Sequence, residues 1–123
     1  MSRLIVVSNR VSVAGPRDKA SAGGLAVALY AALRRYNGVW FGWSGEVVDA
    51  ATAQVKLTES DSVTVATTDL SRDEYEEYYN GFANRVLWPI LHYRLDLAEF
   101  TRRDLGGYFR VNEFFAGHLE KTL

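Results

Sequence analysis

Leu4-Ile5-Val6-Val7-Ser8-Asn9-Arg10, followed by a short connection and then Ser21-Ala22-Gly23-Gly24, decides how the whole chain is read. The apolar, β-branched run from Leu4 to Val7 predicts a buried strand, and Ser8-Asn9-Arg10 reads as its polar stop. Arg10 is thereby expected just past the carboxyl end of a strand, the place where α/β sheets bind their ligands. The paired Gly23 and Gly24 fall at the start of a helix, where bare backbone N–H groups and the positive end of the helix dipole favour an anion. An arginine and a helix amino terminus therefore converge on one point, which predicts a phosphorylated ligand there.

Working outward, Gly15-Pro16 and Arg17-Asp18-Lys19 mark Val11 to Ala20 as a loop. From Leu25 the apolar positions Leu25, Ala28, Leu29, Ala32 and Leu33 recur at helical spacing, with Arg34 and Arg35 in the last turn and Asn37-Gly38 as the stop. Val39 to Trp43 reads as a second strand, ending at Gly42, Ser44 and Gly45. Strand, loop, helix, strand is the start of a βαβ unit, so the two strands are expected to pair in parallel. Further on, Gln54 to Leu57 and Ser62 to Thr67 alternate polar with apolar, which predicts two short strands joined by a Glu59-Ser60-Asp61 turn.

Ser71 with Glu74 three residues later forms a capping box opening a helix. The acids of its first turns, Asp73, Glu74, Glu76 and Glu77, are expected to be solvated. Tyr75, Tyr78, Tyr79, Phe82, Trp88 and Tyr93 make an aromatic belt that is read as core, although the polar edges of Tyr79 and Trp88 also suit a sugar. Pro89 is expected to break any long helix through this stretch. Asp104 is expected to cap a last helix with Leu105, Tyr108, Phe109, Phe115 and Leu119 inside, its first turn weakened by Gly106 and Gly107.

The chain has 123 residues, the length of one domain able to bury a core. Its net charge of −1 provides no bulk field to recruit nucleic acid or a membrane surface. Basic groups outnumber acidic ones six to one over residues 1–40, beside the expected phosphate site, whereas acids outnumber bases nine to two over 41–80. The absence of cysteine removes disulfides, thiolate nucleophiles and cysteine-held metals. With no apolar run long enough to span a bilayer and no signal-peptide pattern, a cytoplasmic location is expected. His92 and His118 have no carboxylate at a ligand spacing, so no metal site is expected. Ser8, Ser21 and Ser44 lack a nucleophile elbow, and the glycine pair matches neither the dinucleotide fingerprint nor the P-loop. No catalytic side chain and no cofactor are read from the chain.

On residues alone this is an α/β domain with a phosphate or sugar-phosphate site. Ordered blocks carry the reading further. Ser8-Asn9-Arg10, Ser21-Ala22-Gly23-Gly24-Leu25, Trp40-Phe41-Gly42-Trp43-Ser44-Gly45, Glu77-Tyr78-Tyr79-Asn80, and Leu87-Trp88-Pro89 with His92-Tyr93-Arg94 resemble, in this order, the amino-terminal portion of the trehalose-6-phosphate synthase family. The stretch Leu105-Gly106-Gly107 departs from the Trp-Asp-Gly usual in that family.

The resemblance implies a retaining glycosyltransferase of GT-B architecture that moves glucose from UDP-glucose to glucose 6-phosphate, in trehalose biosynthesis. Residues 1–123 would then be an incomplete Rossmann-like amino-terminal domain that binds the acceptor, without the carboxyl-terminal donor-binding domain. By the resemblance, Arg10 holds the acceptor phosphate with Tyr79 beside it, and Trp88 lines the acceptor sugar. Trp43, or in its place Trp40, borders that pocket, and Gly23 with Gly24 lies against the donor's diphosphate. The isolated chain is expected to be inactive, and its bare apolar surface to leave it either marginally stable or associated, for instance as a homo-oligomer. The rival reading is a free-standing, non-catalytic sugar-phosphate binder or a decayed remnant of the enzyme.

Overall fold

The computed structural model describes residues 3–11, 24–49 and 55–123, and it divides into two compact units, residues 1–46 with 52–69 and residues 47–51 with 70–123. The first unit is built on β1 (Ile5–Arg10), α1 (Gly24–Arg35), β2 (Val39–Val48), β3 (Lys56–Ser60) and β4 (Val63–Ser71), the last residues of β2 and β4 passing into the second. The strands form one sheet in the order β1-β2-β4-β3. β1 and β2 pair in parallel, as the βαβ reading requires, with Ile5 opposite Val39 and Val7 opposite Phe41. β3 and β4 instead pair antiparallel, so the sheet is mixed. Their two-residue turn is Asp61-Ser62, both at positive φ (50° and 67°), one step later than the expected Glu59–Asp61 turn; this left-handed pair matches the twist of the flanking strands.

Several boundaries differ from the sequence expectation: β2 runs past Trp43 to Val48, β3 is Lys56–Ser60 where Gln54 to Leu57 is expected, and β4 runs past Thr67 to Ser71. β1 does not stop at Val7 but continues through Ser8-Asn9-Arg10, because Ser8 pairs with Gly42 and Arg10 with Trp43. Val11, expected in a loop, is buried and donates its N–H to Trp43 O at 2.9 Å. The remainder of that loop, residues 12–20, lies outside the described residues, as do Ser21 to Gly23 and Gln54.

α1 also sits in a different phase. Leu33 is buried and Ala26, Leu29 and Tyr30 pack with it against Val11, Trp40, Val63 and Val65, whereas Leu25 is exposed. Leu25 to Leu33 is apolar or aromatic at every position, so its spacing alone does not single out a face. The helix ends where Asn37 takes a left-handed φ of 48° and Gly38 N–H reaches back to Leu33 O at 2.9 Å. Gly38 is glycine because a Cβ there would sit 2.7 Å from Leu4 O.

The second unit is helical. Ser71 caps α2 (Arg72–Glu74) with both halves of the capping box made, Glu74 N–H donating to Ser71 Oγ at 3.3 Å and Ser71 N–H to Glu74 Oε1 at 3.1 Å. α2 runs without a break into a π-helix, Tyr75–Leu87, and then into α3, Trp88–Leu91. Pro89 therefore does not interrupt this segment. Arg85 O, which Pro89 cannot serve, accepts the Glu99 N–H at 2.9 Å, and Trp88 N–H reaches back five residues to Ala83 O. The segment stops only at Tyr93, left-handed at φ 59°, with Arg94 N–H bonded to Pro89 O at 2.7 Å.

After a single 3₁₀ turn at Leu95–Leu97, α4 (Arg102–Thr122) packs along the π-helix. Its cap is Thr101, whose Oγ1 accepts the Asp104 N–H at 3.1 Å, and not Asp104 itself. Asp104, Gly107, Val111 and Phe115 form its buried stripe, while Phe109 falls off that stripe and is exposed. The two helices meet through reciprocal glycines: Glu77 lies over Gly107, and Asp104 lies over Gly81, where a Cβ would come within 2.5 Å of the Asp104 carboxyl carbon. Glu77 is thus buried, contrary to the expectation of a solvated acid, and accepts hydrogen bonds from Arg103 Nε at 2.9 Å and from Arg110.

Candidate functional site

The site begins with an irregularity in β1. Between Ser8 and Arg10 the pairing with β2 slips by one residue, so Asn9 is the extra residue of a β-bulge. Without the bulge Arg10 would continue the row of Val6 and Ser8. The extra residue turns it instead onto the row of Ile5 and Val7, whose partners on β2 are Val39, Phe41 and, for Arg10, Trp43. Arg10 is accordingly the last residue of the strand rather than one beyond its end. The strand tip is held by a chain of side-chain bonds: Trp40 Nε1 donates to Ser8 Oγ at 2.9 Å, and Ser8 Oγ donates across the bulge to Arg10 O at 2.9 Å.

The guanidinium of Arg10 lies over the Trp43 indole, 5.7 Å from the ring centroid. Its other wall is Gly45, at φ +89°, where a Cβ would meet Arg10 Nε and Nη2 at 3.0 Å. Only glycine meets both demands at that position. The bend of β2 that brings Trp43 and Gly45 to the arginine is tied together three times. Trp43 Nε1 donates to Glu46 O at 2.9 Å, Glu46 N–H donates to Ser44 Oγ at 3.1 Å, and Ser44 Oγ donates to Asp69 Oδ1 on β4 at 2.5 Å. Among the described residues no carboxylate lies within ion-pair distance of Arg10. Among the described residues the result is an exposed cation braced on an aromatic ring and a glycine.

This geometry separates the two tryptophans that the sequence leaves as alternatives. Both indoles are buried, but Trp43 lies under the guanidinium, while Trp40 packs with Val11, Leu33, Val63 and Val65. Gly24 opens α1, a helix with no acid in its first turn, and the space where its Cβ would sit is open; Gly23 lies outside the described residues. Tyr79 and Trp88 belong to the second unit. Tyr79 stacks on Tyr75 with ring centroids 5.7 Å apart. Trp88 is 61% exposed, its indole 4.1 Å from the His92 ring, and His92 Nδ1 is 2.8 Å from Trp88 O. Of the aromatic belt only part is core: Tyr78 is buried between Tyr108 and Phe115, Phe82 packs on Tyr108 and Phe100, and Tyr93 is exposed. Burial, and the neighbouring Tyr108, push the Tyr78 hydroxyl well above the usual tyrosine range.

Sequence reasoning missed Asn9 as a bulge, Gly45 as a wall, and Ser44 and Asp69 as the tie behind it. Two glycines inside an aromatic strand, Gly42 and Gly45, are the signal that could have found the close approach.

Comparison with known proteins agrees with this architecture. Trehalose-6-phosphate synthase of Sinorhizobium fredii is 54% identical over 121 residues, covering 97% of this chain and 26% of that protein. Among solved structures, an alpha,alpha-trehalose-phosphate synthase (UDP-forming) from Burkholderia vietnamiensis superposes with a TM-score of 0.90 at 51% identity, covering all of this chain and 26% of that one. A Burkholderia xenovorans enzyme of the same description, solved in complex with glucose-6-phosphate, superposes with a TM-score of 0.85 at 46% identity over 99% of this chain and 26% of that one. The chain thus spans about a quarter of the length of the relatives it matches. No helix among the described residues is long and apolar enough to cross a membrane. The glycosyltransferase family 20 model matches residues 2–123, essentially the whole sequence, and the chain belongs to that family.

Proposed function

We propose that the chain is the acceptor-binding portion of an enzyme that transfers glucose from UDP-glucose to glucose 6-phosphate, releasing UDP and forming trehalose 6-phosphate. The observation that carries the reading is the Arg10 guanidinium, braced on Trp43 and Gly45 and without a carboxylate partner among the described residues. A planar guanidinium pairs with a phosphate through two charge-assisted hydrogen bonds, and bracing it beforehand lowers the entropy lost on binding. The glucose-6-phosphate complex of the Burkholderia xenovorans relative supports the choice of acceptor, and the UDP-forming description of the Burkholderia vietnamiensis relative supports the donor.

In this reading Arg10 holds the acceptor phosphate and Trp43 borders its pocket, while the roles of Tyr79 beside the phosphate and of Trp88 along the sugar rest on the family resemblance alone. Gly23 and Gly24 face the donor diphosphate at the amino terminus of α1, where backbone N–H groups stabilise charge building on departing UDP. The anomeric carbon–oxygen bond to UDP loosens as the acceptor hydroxyl forms its bond on the same face, and the hydroxyl proton passes to the departing phosphate oxygen. Transfer needs two aligned substrates and no protein nucleophile. The relatives are about four times as long, so the remaining donor contacts are assigned to sequence beyond these 123 residues, and the chain by itself does not turn over.

The test is calorimetric titration of the chain with glucose 6-phosphate. Arg10→Ala removes the phosphate contacts and weakens binding by about two orders of magnitude while circular dichroism stays the same. Unchanged affinity in that variant sinks the reading. A coupled assay for UDP release, with both substrates and the isolated chain, stays at background; turnover there overturns the division of labour.

A further inference from the structure

We propose that Asp69 is a positioning residue for the acceptor-phosphate site, acting through the Ser44 hydroxyl to hold the 43–46 bend against Arg10. The inference rests on the reading of Arg10 given above. Asp69 touches no part of the expected ligand position through any contact described; its relevant bond is to Ser44 Oγ, at 2.5 Å, the length of a hydroxyl donating to an ionised carboxylate.

Ser44 is the centre of the bend. Its single hydroxyl proton is committed to Asp69, which turns the oxygen lone pairs toward the Glu46 N–H, 3.1 Å away. Glu46 in turn offers its carbonyl to the Trp43 indole N–H at 2.9 Å. Trp43 and Gly45, the two walls of the guanidinium, therefore lie on either side of a residue anchored to the neighbouring strand β4. Gly45 holds a left-handed φ of +89° that a glycine adopts freely and also leaves freely, so its conformation depends on bonds made around it. Without Asp69 the Ser44 hydroxyl can rotate to other acceptors and release Glu46 N–H. The cradle then loosens on both walls, and the guanidinium must be ordered at the moment of binding.

The experiment compares Asp69→Ala, Ser44→Ala and the double variant with the unmodified chain, by calorimetry with glucose 6-phosphate. Each single variant is expected to bind about tenfold more weakly, and the double variant no more weakly than either, because both remove the same tie. Asp69→Asn, which keeps an acceptor oxygen for Ser44, restores most of the affinity. A second readout needs no ligand: hydrogen exchange of the Trp43 indole N–H speeds up in both alanine variants. Unchanged affinity in the alanine variants alongside lost binding in Arg10→Ala overturns the role of Asp69 alone. Additive losses in the double variant, or unchanged indole exchange, overturn it as well. Retained binding in Arg10→Ala, or no binding by the unmodified chain, instead removes the phosphate site and this proposal with it.

Discussion

Glu77 gives the sharpest test of how the second unit is held together. Its carboxylate side chain is 9% exposed and accepts from Arg103 and Arg110, whose side chains are 70% and 66% exposed. The pairing is asymmetric: the acid is dry and the bases are wet. Removing the acid's charge by Glu77→Gln lets both arginines return to water, so the loss is of the order of one ordinary hydrogen bond, about 1 kcal/mol. Removing both arginines leaves a buried carboxylate without its cations and is expected to cost more than the glutamine change. For 123 residues unfolding together, at about 2.1 cal/mol/K each, the loss of about 1 kcal/mol in Glu77→Gln lowers the melting temperature by about 4 °C. Differential scanning calorimetry on Glu77→Gln, on Arg103→Ala with Arg110→Ala, and on the triple variant decides the matter. The triple variant is expected to recover much of the loss, since it has no charge left to strand. A triple variant no more stable than the double one, or a Glu77→Gln loss as large as the double arginine loss, refutes the assignment.

Other substitutions separate fold from site. Gly45→Ala forces a side chain into a φ of +89° and onto the Arg10 guanidinium, so it is expected to cost about 1–3 kcal/mol and to weaken glucose 6-phosphate binding, checked by calorimetry of both. Thr101→Ala removes the cap of α4 and is expected to lower stability by about 1 kcal/mol, read from chemical denaturation. For Tyr78 the folded hydroxyl is held protonated by burial and by Tyr108, while in the unfolded chain it ionises near the ordinary tyrosine value of 10.0. Its contribution is therefore complete below that pH and is lost as pH rises beyond it. Melting temperatures between pH 10 and 12 are expected to fall less steeply for Tyr78→Phe than for the unmodified chain.

The parts of this fold that were legible are those with one dominant local signal. Ile5 to Val7 of the expected strand do form one, although it is an edge strand with Ile5 and Val7 exposed rather than buried; Ser71 with Glu74 makes the capping box their spacing announces, and the parallel pairing of β1 with β2 follows from the helix between them. What was illegible depends on partners distant in sequence. Pro89 reads as a breaker until Glu99 supplies the missing N–H to Arg85 O, and Glu77 reads as solvated until Gly107 opens room for it beside two arginines. The face of α1 was misassigned by one position because its apolar run has no polar side to orient it. At the site, the motif points to Arg10 and leaves Trp43 and Trp40 as alternatives, whereas Ser44 and Asp69 lie 25 residues apart and meet only once β2 and β4 are neighbours in the sheet.

The bulge at Asn9 joins the fold to the chemistry. A regular strand would have pointed Arg10 toward the row of Val6 and Ser8, the side on which α1 covers the core. There a guanidinium would have had to be paired or desolvated. One inserted residue moves it to the row of Trp43, where it lies over the ring and is exposed. The strand loses a regular pairing step there, and Ser8 offsets the loss by bridging to Arg10 O while accepting from Trp40. Trp40 and Trp43 thus serve the same arginine from opposite faces of β2, one holding its backbone and the other its side chain. That arrangement explains how two indoles three residues apart both bear on Arg10 although, of the two, only Trp43 lies against the guanidinium.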